Sequence, residues 1–428
     1  MANNAQELPR VAGNGLLDRR LFMRTLALGA VGTATAGASL ADPVSKGQPA
    51  WMLAPGATTE DYGTPSHFEM ARTRRWTVPP AGQAATGRSI AAFTPHHQLH
   101  GTLTPSGLHF EVNHHGIPDI DPDQHELIIH GMVRQPIKLN VAALANYATA
   151  THNYFIECSG NSGRLWSDKP LAAHLDITHG LLSGSEWTGV PLSALLDEAG
   201  LEPGAKWLIV EGADSGSVSR SIPLDKALDD SMIALYQNGE RLRPGQGYPM
   251  RLLNPGFEGN TSIKWLRSIR VTDQPAMTRF ETSTYTDLMR DGKALQFTLA
   301  MEVKSVITRP SNANMLPKKG VYEVTGIAWS GNGRISKVEV SADGGKTWAE
   351  AALQGPVLPN MLTRFRIPWE WQGGTAVLQS RAVDETGRVQ PTREALIAAR
   401  GNGGWGYHFN GIHSWGVDED GGIANVHV

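Results

Sequence analysis

Residues 153–164 of the 428-residue chain read NYFIECSGNSGR and contain Cys158, the only cysteine of the sequence. The run YFIE predicts a short strand, and SGNSG predicts a tight loop with free backbone N–H groups. Because ligands and catalytic atoms often lie where a strand enters such a loop, Cys158 is a candidate functional residue. From these residues alone, three interpretations stay open: a buried apolar side chain, a nucleophile served by a histidine base, or a thiolate ligand to a soft metal.

The composition narrows the class of protein. Hydrophobic residues make up 40% and charged residues 18% of the chain, which indicates a globular protein with two or three domains. The net charge of -3 and the absence of a basic stripe interleaved with aromatics argue against a nucleic-acid partner. The 47 glycines and 26 prolines favour a turn-rich fold that leans towards β structure.

The N-terminal region predicts the compartment. From Leu16 it reads LLDRRLFMRTLALGAVGTATAGASLADP, with the pair Arg19 and Arg20 before an uncharged run that ends at Ala41. This pattern resembles a twin-arginine export signal, which predicts a periplasmic protein exported in the folded state and cleaved after Ala41. A membrane anchor is the weaker alternative, because the run is short of the roughly 20 residues that a span needs.

The single cysteine also limits the redox chemistry that the chain performs alone. It allows no internal disulfide, no C-x-x-C-H haem attachment and no four-cysteine iron–sulfur centre. We therefore expect no haem in this chain, and we expect the electrons of any redox reaction to pass to a separate protein.

Several segments in order resemble one family. YFIECSGN resembles the molybdenum-cysteine segment of the sulfite oxidase family, and FEVNHHGIP, from Phe110 to Pro118, resembles an earlier segment of it. The resemblance continues through WTGVPLSALLDEAGL, from Trp187 to Leu201, and through GIAWSGNGRISKVEVSADGGKTW, which ends at Trp348. It runs collinearly from about Phe110 to the C-terminus, which makes it more specific than any single motif.

The resemblance implies a cofactor and a set of site residues. The cofactor is molybdenum held by a molybdopterin (pyranopterin) dithiolene, with Cys158 as the thiolate ligand to the metal. Soft sulfur donors suit this metal, while the phosphate of the pterin calls for arginine and lysine. The implied catalytic residues are Cys158, Tyr285 and Arg164. The implied cofactor-binding residues are Phe110, Glu111, Val112, Asn113, His114, Cys158, Asp214, Gln246, Arg251, Ser262, Ile263 and Lys264.

Three departures from the family pattern concern charge. Gln246 stands where the family commonly has histidine, although an amide still hydrogen-bonds a phosphate. Val112 stands where members that oxidise free sulfite carry an arginine, and Ser162 and Gly163 stand where the animal enzymes have a pair of arginines. Arg164 lies one residue further on and is expected to compensate in part.

The absence of these arginines favours a sulfur substrate other than free sulfite. Within the family, the chain resembles the sulfane dehydrogenase branch of the Sox sulfur-oxidising system. That resemblance implies oxidation of a sulfane sulfur carried on a cysteine of the carrier protein SoxYZ, with electrons passed to a c-type cytochrome subunit, SoxD. The alternatives are a periplasmic sulfite dehydrogenase and, from another class, a cofactor-free β-sandwich binding module.

The expected fold class is α+β. We expect a signal over residues 1–41, an extended segment over 42–95, a mixed α/β molybdopterin-binding domain over 96–295 and an immunoglobulin-like β-sandwich over 300–428. Alternating strands and the turn at Asp343–Gly345 predict the sandwich. By resemblance, it makes a homodimer contact within a heterotetramer. The C-terminal region from Trp405 is either a contact for the cytochrome or a surface strand of the second domain. Trp329 and Trp348 are expected to pack in a core or an interface.

Overall fold

The computed structural model describes residues 10–19, 52, 55, 61–69, 72–77, 90–401 and 406–428. Most of the predicted export signal, including Arg20 and the run up to Ala41, lies outside the described residues, as does Trp405. Among the helices of the described residues, none combines the length and the apolar character that crossing a membrane requires.

The first domain is built on three sheets and a hairpin. Their orders are β1-β2-β3, β11-β10-β7-β6 with β12 beside β10, β5-β4-β13-β8-β9, and the pair β14-β15. Neighbouring strands are antiparallel except β4 and β13, which are parallel. The strands are β1 (Arg75–Trp76), β2 (Ile90–Phe93), β3 (Glu111–Asn113), β4 (Glu126–Gly131), β5 (Ile137–Asn140), β6 (Ala150–Glu157), β7 (Leu182–Pro191), β8 (Trp207–Gly212), β9 (Ser219–Pro223), β10 (Met232–Gln237), β11 (Glu240–Arg241), β12 (Arg251–Leu253), β13 (Leu266–Thr272), β14 (Thr286–Leu288) and β15 (Ala294–Gln296).

Short helices cover these sheets. The α-helices of the described chain are α1 (Val141–Leu144), α2 (Leu175–His179), α3 (Leu192–Ala199), α4 (Leu224–Asp229), α5 (Arg279–Ser283) and, in the second domain, α6 (Arg393–Arg400). Single 3₁₀ turns lie at His67–Glu69, His96–Gln98, Ser106–Leu108, Gly163–Trp166, Pro244–Gln246 and Gly259–Thr261. The helix α3 shows why the sequence folds in this way: its Leu192, Leu195 and Leu196 share one buried face, and Gly200, at φ 69°, ends it.

The second domain is a β-sandwich, as the sequence predicts. One sheet has the order β16-β17-β21-β20 and the other β19-β18-β22-β23-β24. Both sheets contribute to one apolar core that includes Trp329, Trp369 and Trp415. The strands are β16 (Lys304–Arg309), β17 (Gly320–Trp329), β18 (Ile335–Ser341), β19 (Ala349–Glu350), β20 (Ala352–Leu353), β21 (Thr363–Trp371), β22 (Ala376–Asp384), β23 (Ser414–Val417) and β24 (Ile423–Val426).

One detail differs from the expected domain organisation. Strands β1 and β2 lie within the predicted extended segment, yet they pair with β3 as a sheet of the first domain. The C-terminal residues form β23 and β24 of the sandwich. Contact of this region with a cytochrome stays a prediction.

The described part of the predicted signal packs on the sandwich. Leu16 and Leu17 are both 0% exposed. The backbone N–H of Leu17 donates to the carbonyl of Pro368 at 3.0 Å, and the indole of Trp369 donates to the carbonyl of Asn14 at 2.7 Å. Residues 10–19 therefore contribute to the core of the second domain, which their role in a signal did not lead us to expect.

Candidate functional site: a cleft at the end of β6

A cleft of about 740 Å³ lies beside Cys158, at the end of β6. Its walls come from β3, the 3₁₀ turns near Gln246 and Asn260, and the segments that flank β12 and β13. The lining residues are His109, Phe110, Glu111, Val112, Asn113, His114, Ile156, Cys158, Asp214, Val218, Gln246, Arg251, Gly259, Asn260, Ser262, Ile263, Lys264, Trp265 and Tyr285. The structure thus brings together every sequence-predicted site residue except Arg164.

Cys158 is held at the point where β6 leaves its sheet. Its backbone N–H donates to the carbonyl of Leu181 at 2.9 Å, and Ser162 turns the following loop with φ 66°. Burial raises the pKa of the thiol to about 11, because a thiolate loses the solvation that water provides. A cationic metal reverses this preference, since a coordinated thiol is deprotonated.

Two residues of the second domain form hydrogen bonds with Glu157, the residue that precedes Cys158. The Glu157 carboxylate accepts from Lys304 Nζ at 3.2 Å and from the indole of Trp329 at 2.6 Å. The Asn161 amide donates to the same carboxylate at 2.9 Å. Trp329 is therefore a core residue, as predicted, and it also fixes the residue that precedes Cys158.

Two cations, the buried Arg251 and the half-buried Lys264, lie in the wall of the cleft. Arg251 donates to the carbonyls of Gln246 at 3.0 Å and Ser262 at 2.8 Å. Lys264 Nζ donates to the carbonyls of Val112 at 3.1 Å and Gly245 at 3.0 Å, and to the side chain of Asn113. Burial lowers the pKa of Arg251 to about 9, and burial followed by the charge of Arg251 lowers the pKa of Lys264 to about 7. These direct partners are neutral, so an anion in the cleft would stabilise both charges.

Buried polar atoms that lack a hydrogen-bond partner test whether the cleft fits a pterin cofactor. Within the described residues, Arg251 Nε, His109 Nε2 and Asn260 Oδ1 are buried and have no hydrogen-bond partner. All three residues line the cleft. A ligand with donor and acceptor edges and an anionic group satisfies these atoms and the two cations together, which matches the chemistry of a phosphorylated pterin.

Tyr285 also lines the cleft. Its hydroxyl lies 3.1 Å from His114 Nε2, and the Arg220 guanidinium lies 5.0 Å from its ring centroid. Burial, followed by the nearby Cys158, raises the pKa of the Tyr285 phenol well above its usual value. The phenol is therefore neutral and able to donate a hydrogen bond near neutral pH.

Arg164 is the exception among the predicted residues. It lies in the 3₁₀ turn Gly163–Trp166 with an exposed side chain and is not among the residues that line the cleft. Its neighbours Leu165 and Trp166 are buried instead. The geometry gives no support to a compensating active-site cation at this position.

Sequence reasoning missed several residues around the site. His109 directly precedes the segment FEVNHHGIP, and Asn260 lies within NPGFEGNTSIKWL, so these positions were the available signal. Tyr407 and His408 come from the far C-terminal region. The amide of His408 donates to the carbonyl of Ser159 at 2.8 Å, a contact that no local pattern predicts.

Another group of potential metal ligands lies away from this cleft. Side-chain atoms of His97, His174 and Asp176 fall within 4.8 Å of one another. Asp176 is already engaged by His97 Nδ1 at 2.9 Å and by Arg75 Nε at 3.3 Å. The protein itself therefore balances the charge of this carboxylate.

Comparisons with known proteins agree with the chemistry of the cleft. The family model of the oxidoreductase molybdopterin binding domain matches residues 114–280, and that of the Mo-co oxidoreductase dimerisation domain matches residues 296–414. A chain of the crystal structure of the sulfane dehydrogenase SoxCD from Paracoccus pantotrophus is 43% identical with a TM-score of 0.86, over 91% of this chain and 100% of that chain. The chain belongs to the sulfite oxidase family.

Other members of the sulfite oxidase family are more distant. Mitochondrial sulfite oxidase of Mus musculus is 29% identical over 322 residues, and the NADH nitrate reductase of Solanum lycopersicum is 29% identical over 333 residues. Each match covers 69% of this chain but only 59% and 37% of the respective relative. Membership makes the chain a molybdenum oxidoreductase of SoxC type, and it removes the cofactor-free binding module.

Proposed function

We propose that this chain oxidises sulfane sulfur carried on a cysteine of SoxYZ and passes the electrons to the c-type cytochrome subunit SoxD. The observation that carries the proposal is Val112, which lines the cleft together with Cys158. Members of the family that oxidise free sulfite have an arginine at this position. The similarity to the sulfane dehydrogenase SoxCD supports the same choice of substrate.

The distribution of charge supports this substrate. A free dianion such as sulfite needs fixed positive charge to replace its hydration. Val112 supplies none, Arg164 is exposed outside the cleft, and Arg251 and Lys264 are the residues expected to hold the pterin. A carrier-bound sulfur does not need such cations, because docking of the carrier protein supplies the binding energy.

The residues of this chain have defined tasks in the reaction. When bound, the cofactor supplies a metal that takes up electrons from the sulfur. Cys158 would hold that metal, and Arg251 and Lys264 would balance the charge of the pterin phosphate. The neutral phenol of Tyr285 is placed to donate a hydrogen bond to an oxygen on the sulfur. Each oxygen atom added to the sulfur comes from water, with release of two protons and two electrons, and the electrons leave to the cytochrome.

We further propose a periplasmic location and an assembly with other chains. The twin-arginine pattern at Arg19 and Arg20 supports export in the folded state. The match of residues 296–414 to a dimerisation domain supports a homodimer through the sandwich, within a heterotetramer that includes the cytochrome.

A cytochrome reduction assay tests the substrate. Purified protein with its cytochrome partner would receive sulfite, thiosulfate or carrier-bound sulfane in parallel. We expect rapid reduction with carrier-bound sulfane and poor reduction with sulfite. Efficient oxidation of free sulfite, with a micromolar KM, would instead identify a sulfite dehydrogenase.

A further inference from the structure

The segment 406–413, here called the tail, folds back on the loop 159–166, here called the cysteine loop. A Cβ added to Gly163 would lie only 1.8 Å from the carbonyl oxygen of Gly406, so the two backbones are in direct contact. The indole of Trp166 donates to the carbonyl of Tyr407 at 2.9 Å. With the His408 amide bonded to the carbonyl of Ser159, these contacts hold the tail against the cysteine loop.

His408 anchors the tail through its ring. The ring is buried between Glu258 Oε2 at 3.2 Å and Asp287 Oδ2 at 2.7 Å. The backbone of His408 has φ 52°, a conformation that a residue with a side chain rarely adopts unless its surroundings fix it. Glu258 belongs to the segment that precedes Asn260, and Asp287 follows Tyr285, so His408 ties the tail to two walls of the cleft.

This anchoring places the ring of Tyr407 beside the metal ligand. A Cβ on Gly160 would lie 3.8 Å from both Cys158 Sγ and Tyr407 Cε1. The ring centroids of Tyr407 and Tyr285 are 5.6 Å apart. Tyr407 is half-buried, and on its other side it lines a small surface recess together with Trp166 and Asp287.

The charged side chains around the tail are already paired with one another. Arg220 contacts Glu258 at 2.9 Å and Glu281 at 3.6 Å. Arg400 contacts Asp287 at 3.8 Å and Glu302 at 3.2 Å. The group that Tyr407 presents towards Cys158 is accordingly a neutral phenol ring, which offers little to attract a free dianion.

We propose that Tyr407 determines substrate specificity, by admitting a sulfur-bearing arm of a carrier protein to the metal that Cys158 would hold and disfavouring free oxyanions. His408 acts as the positioning residue that holds Tyr407 in place. This inference rests on the proposed function, because it assumes a substrate delivered on a carrier protein.

The test compares holoenzyme variants that carry Tyr407→Ala, Tyr407→Leu and His408→Gln. The matched control is Tyr236→Phe, which changes an exposed tyrosine of β10 away from the site. For each protein, molybdenum content, the Mo(V) electron paramagnetic resonance spectrum, and kcat and KM for sulfite and for carrier-bound sulfane are measured. The Mo(V) spectrum and the separate effects on kcat and KM distinguish a displaced Tyr407 from a general loss of stability.

We expect Tyr407→Ala to load molybdenum normally and to lower the preference for carrier-bound sulfane over sulfite at least tenfold. His408→Gln should shift the preference in the same direction and broaden the Mo(V) spectrum, while Tyr236→Phe changes neither. If Tyr407→Ala fails to load molybdenum, Tyr407→Leu decides in its place. An unchanged preference in a loaded Tyr407 variant overturns the inference.

The failure of the proposed function would look different. In that case the wild type itself would not oxidise carrier-bound sulfane. The role of Tyr407 would then be tested with sulfite alone. A lower KM for sulfite in Tyr407→Ala would still support the inference that Tyr407 disfavours free oxyanions, and an unchanged KM would overturn it.

Discussion

At the scale of single residues, the chemistry depends on how the protein treats one thiol. Burial raises the pKa of Cys158 to about 11, so the thiol without a metal is neutral near pH 7. A metal with an affinity for soft donors stabilises the thiolate that the protein alone disfavours. The same surroundings that make Cys158 a poor free nucleophile are therefore compatible with a metal ligand.

Replacement of this thiol tests the ligand assignment. Cys158→Ser should yield a folded protein whose molybdenum-dependent turnover is lost, because a hydroxyl is a harder and poorer donor than a thiolate. The measurements are circular dichroism, metal content and cytochrome reduction. The control variant is Ser159→Ala, at the position that follows Cys158. Turnover equal to that of the wild type would remove Cys158 from the metal site.

The phenol of Tyr285 is a second residue with a specific expected role. Tyr285→Phe removes the hydroxyl that lies 3.1 Å from His114 Nε2 and leaves the ring packing intact. We expect the reductive step to slow by roughly tenfold or more, at about 1.4 kcal/mol per decade of rate. Rapid-mixing kinetics of metal reduction measure this step, and rates equal to those of the wild type would assign Tyr285 a packing role alone.

At the scale of the elements, sequence reasoning succeeded where local pattern and family resemblance coincide. The run YFIE predicted a strand, and β6 indeed ends at Glu157, directly before Cys158. The position of Arg164 does not follow from the local sequence, because whether a side chain in a 3₁₀ turn points into a cleft or into solvent depends on the buried neighbours Leu165 and Trp166.

Long-range contacts account for the other differences. Tyr407 reaches the cysteine loop across about half of the chain, and its position depends on the pairing of His408 with Glu258 and Asp287. Periodicity and turn propensity describe neighbours along the sequence, so they contain no signal for such a contact. The placement of Leu16 on the sandwich was missed for the same reason.

The packing of the N-terminal segment leads to a stability prediction. Leu16→Ala and Leu17→Ala should each lower the free energy of unfolding of the full chain by about 2–5 kcal/mol, since each removes a fully buried side chain from the second domain. Val11→Ala, at a position that is 42% exposed, is the matched control. Denaturant unfolding measures the difference, and the same stability for all three variants would show that the segment does not pack as described.

At the scale of the whole molecule, the first domain lines the cleft and the second domain supports the residues around Cys158. Lys304 and Trp329 of the sandwich hold Glu157, and the tail holds the opposite side of the cysteine loop. The cysteine loop is therefore held by the second domain on two sides. This arrangement is compatible with the proposed export in the folded state, because these contacts form only when both domains have folded.

The export route is tested on the intact precursor. Replacing both Arg19 and Arg20 with lysine should keep the protein in the cytoplasm with its cofactor loaded, because the twin-arginine pattern is the feature that the export machinery reads. Cell fractionation with immunodetection measures the distribution. A normal periplasmic yield of the double variant would mean that this signal has been misinterpreted.

The central claim is that the cleft is built for a carrier-bound sulfur and not for a free dianion, and the Val112→Arg variant tests it most directly. The measurement is kcat/KM for sulfite and for carrier-bound sulfane, with Val112→Leu as an uncharged control of similar shape. We predict that Val112→Arg raises turnover of sulfite relative to that of sulfane, since arginine supplies the fixed charge that the cleft lacks beside Cys158. A ratio that stays the same in Val112→Arg, or efficient sulfite oxidation by the wild type, would contradict the account.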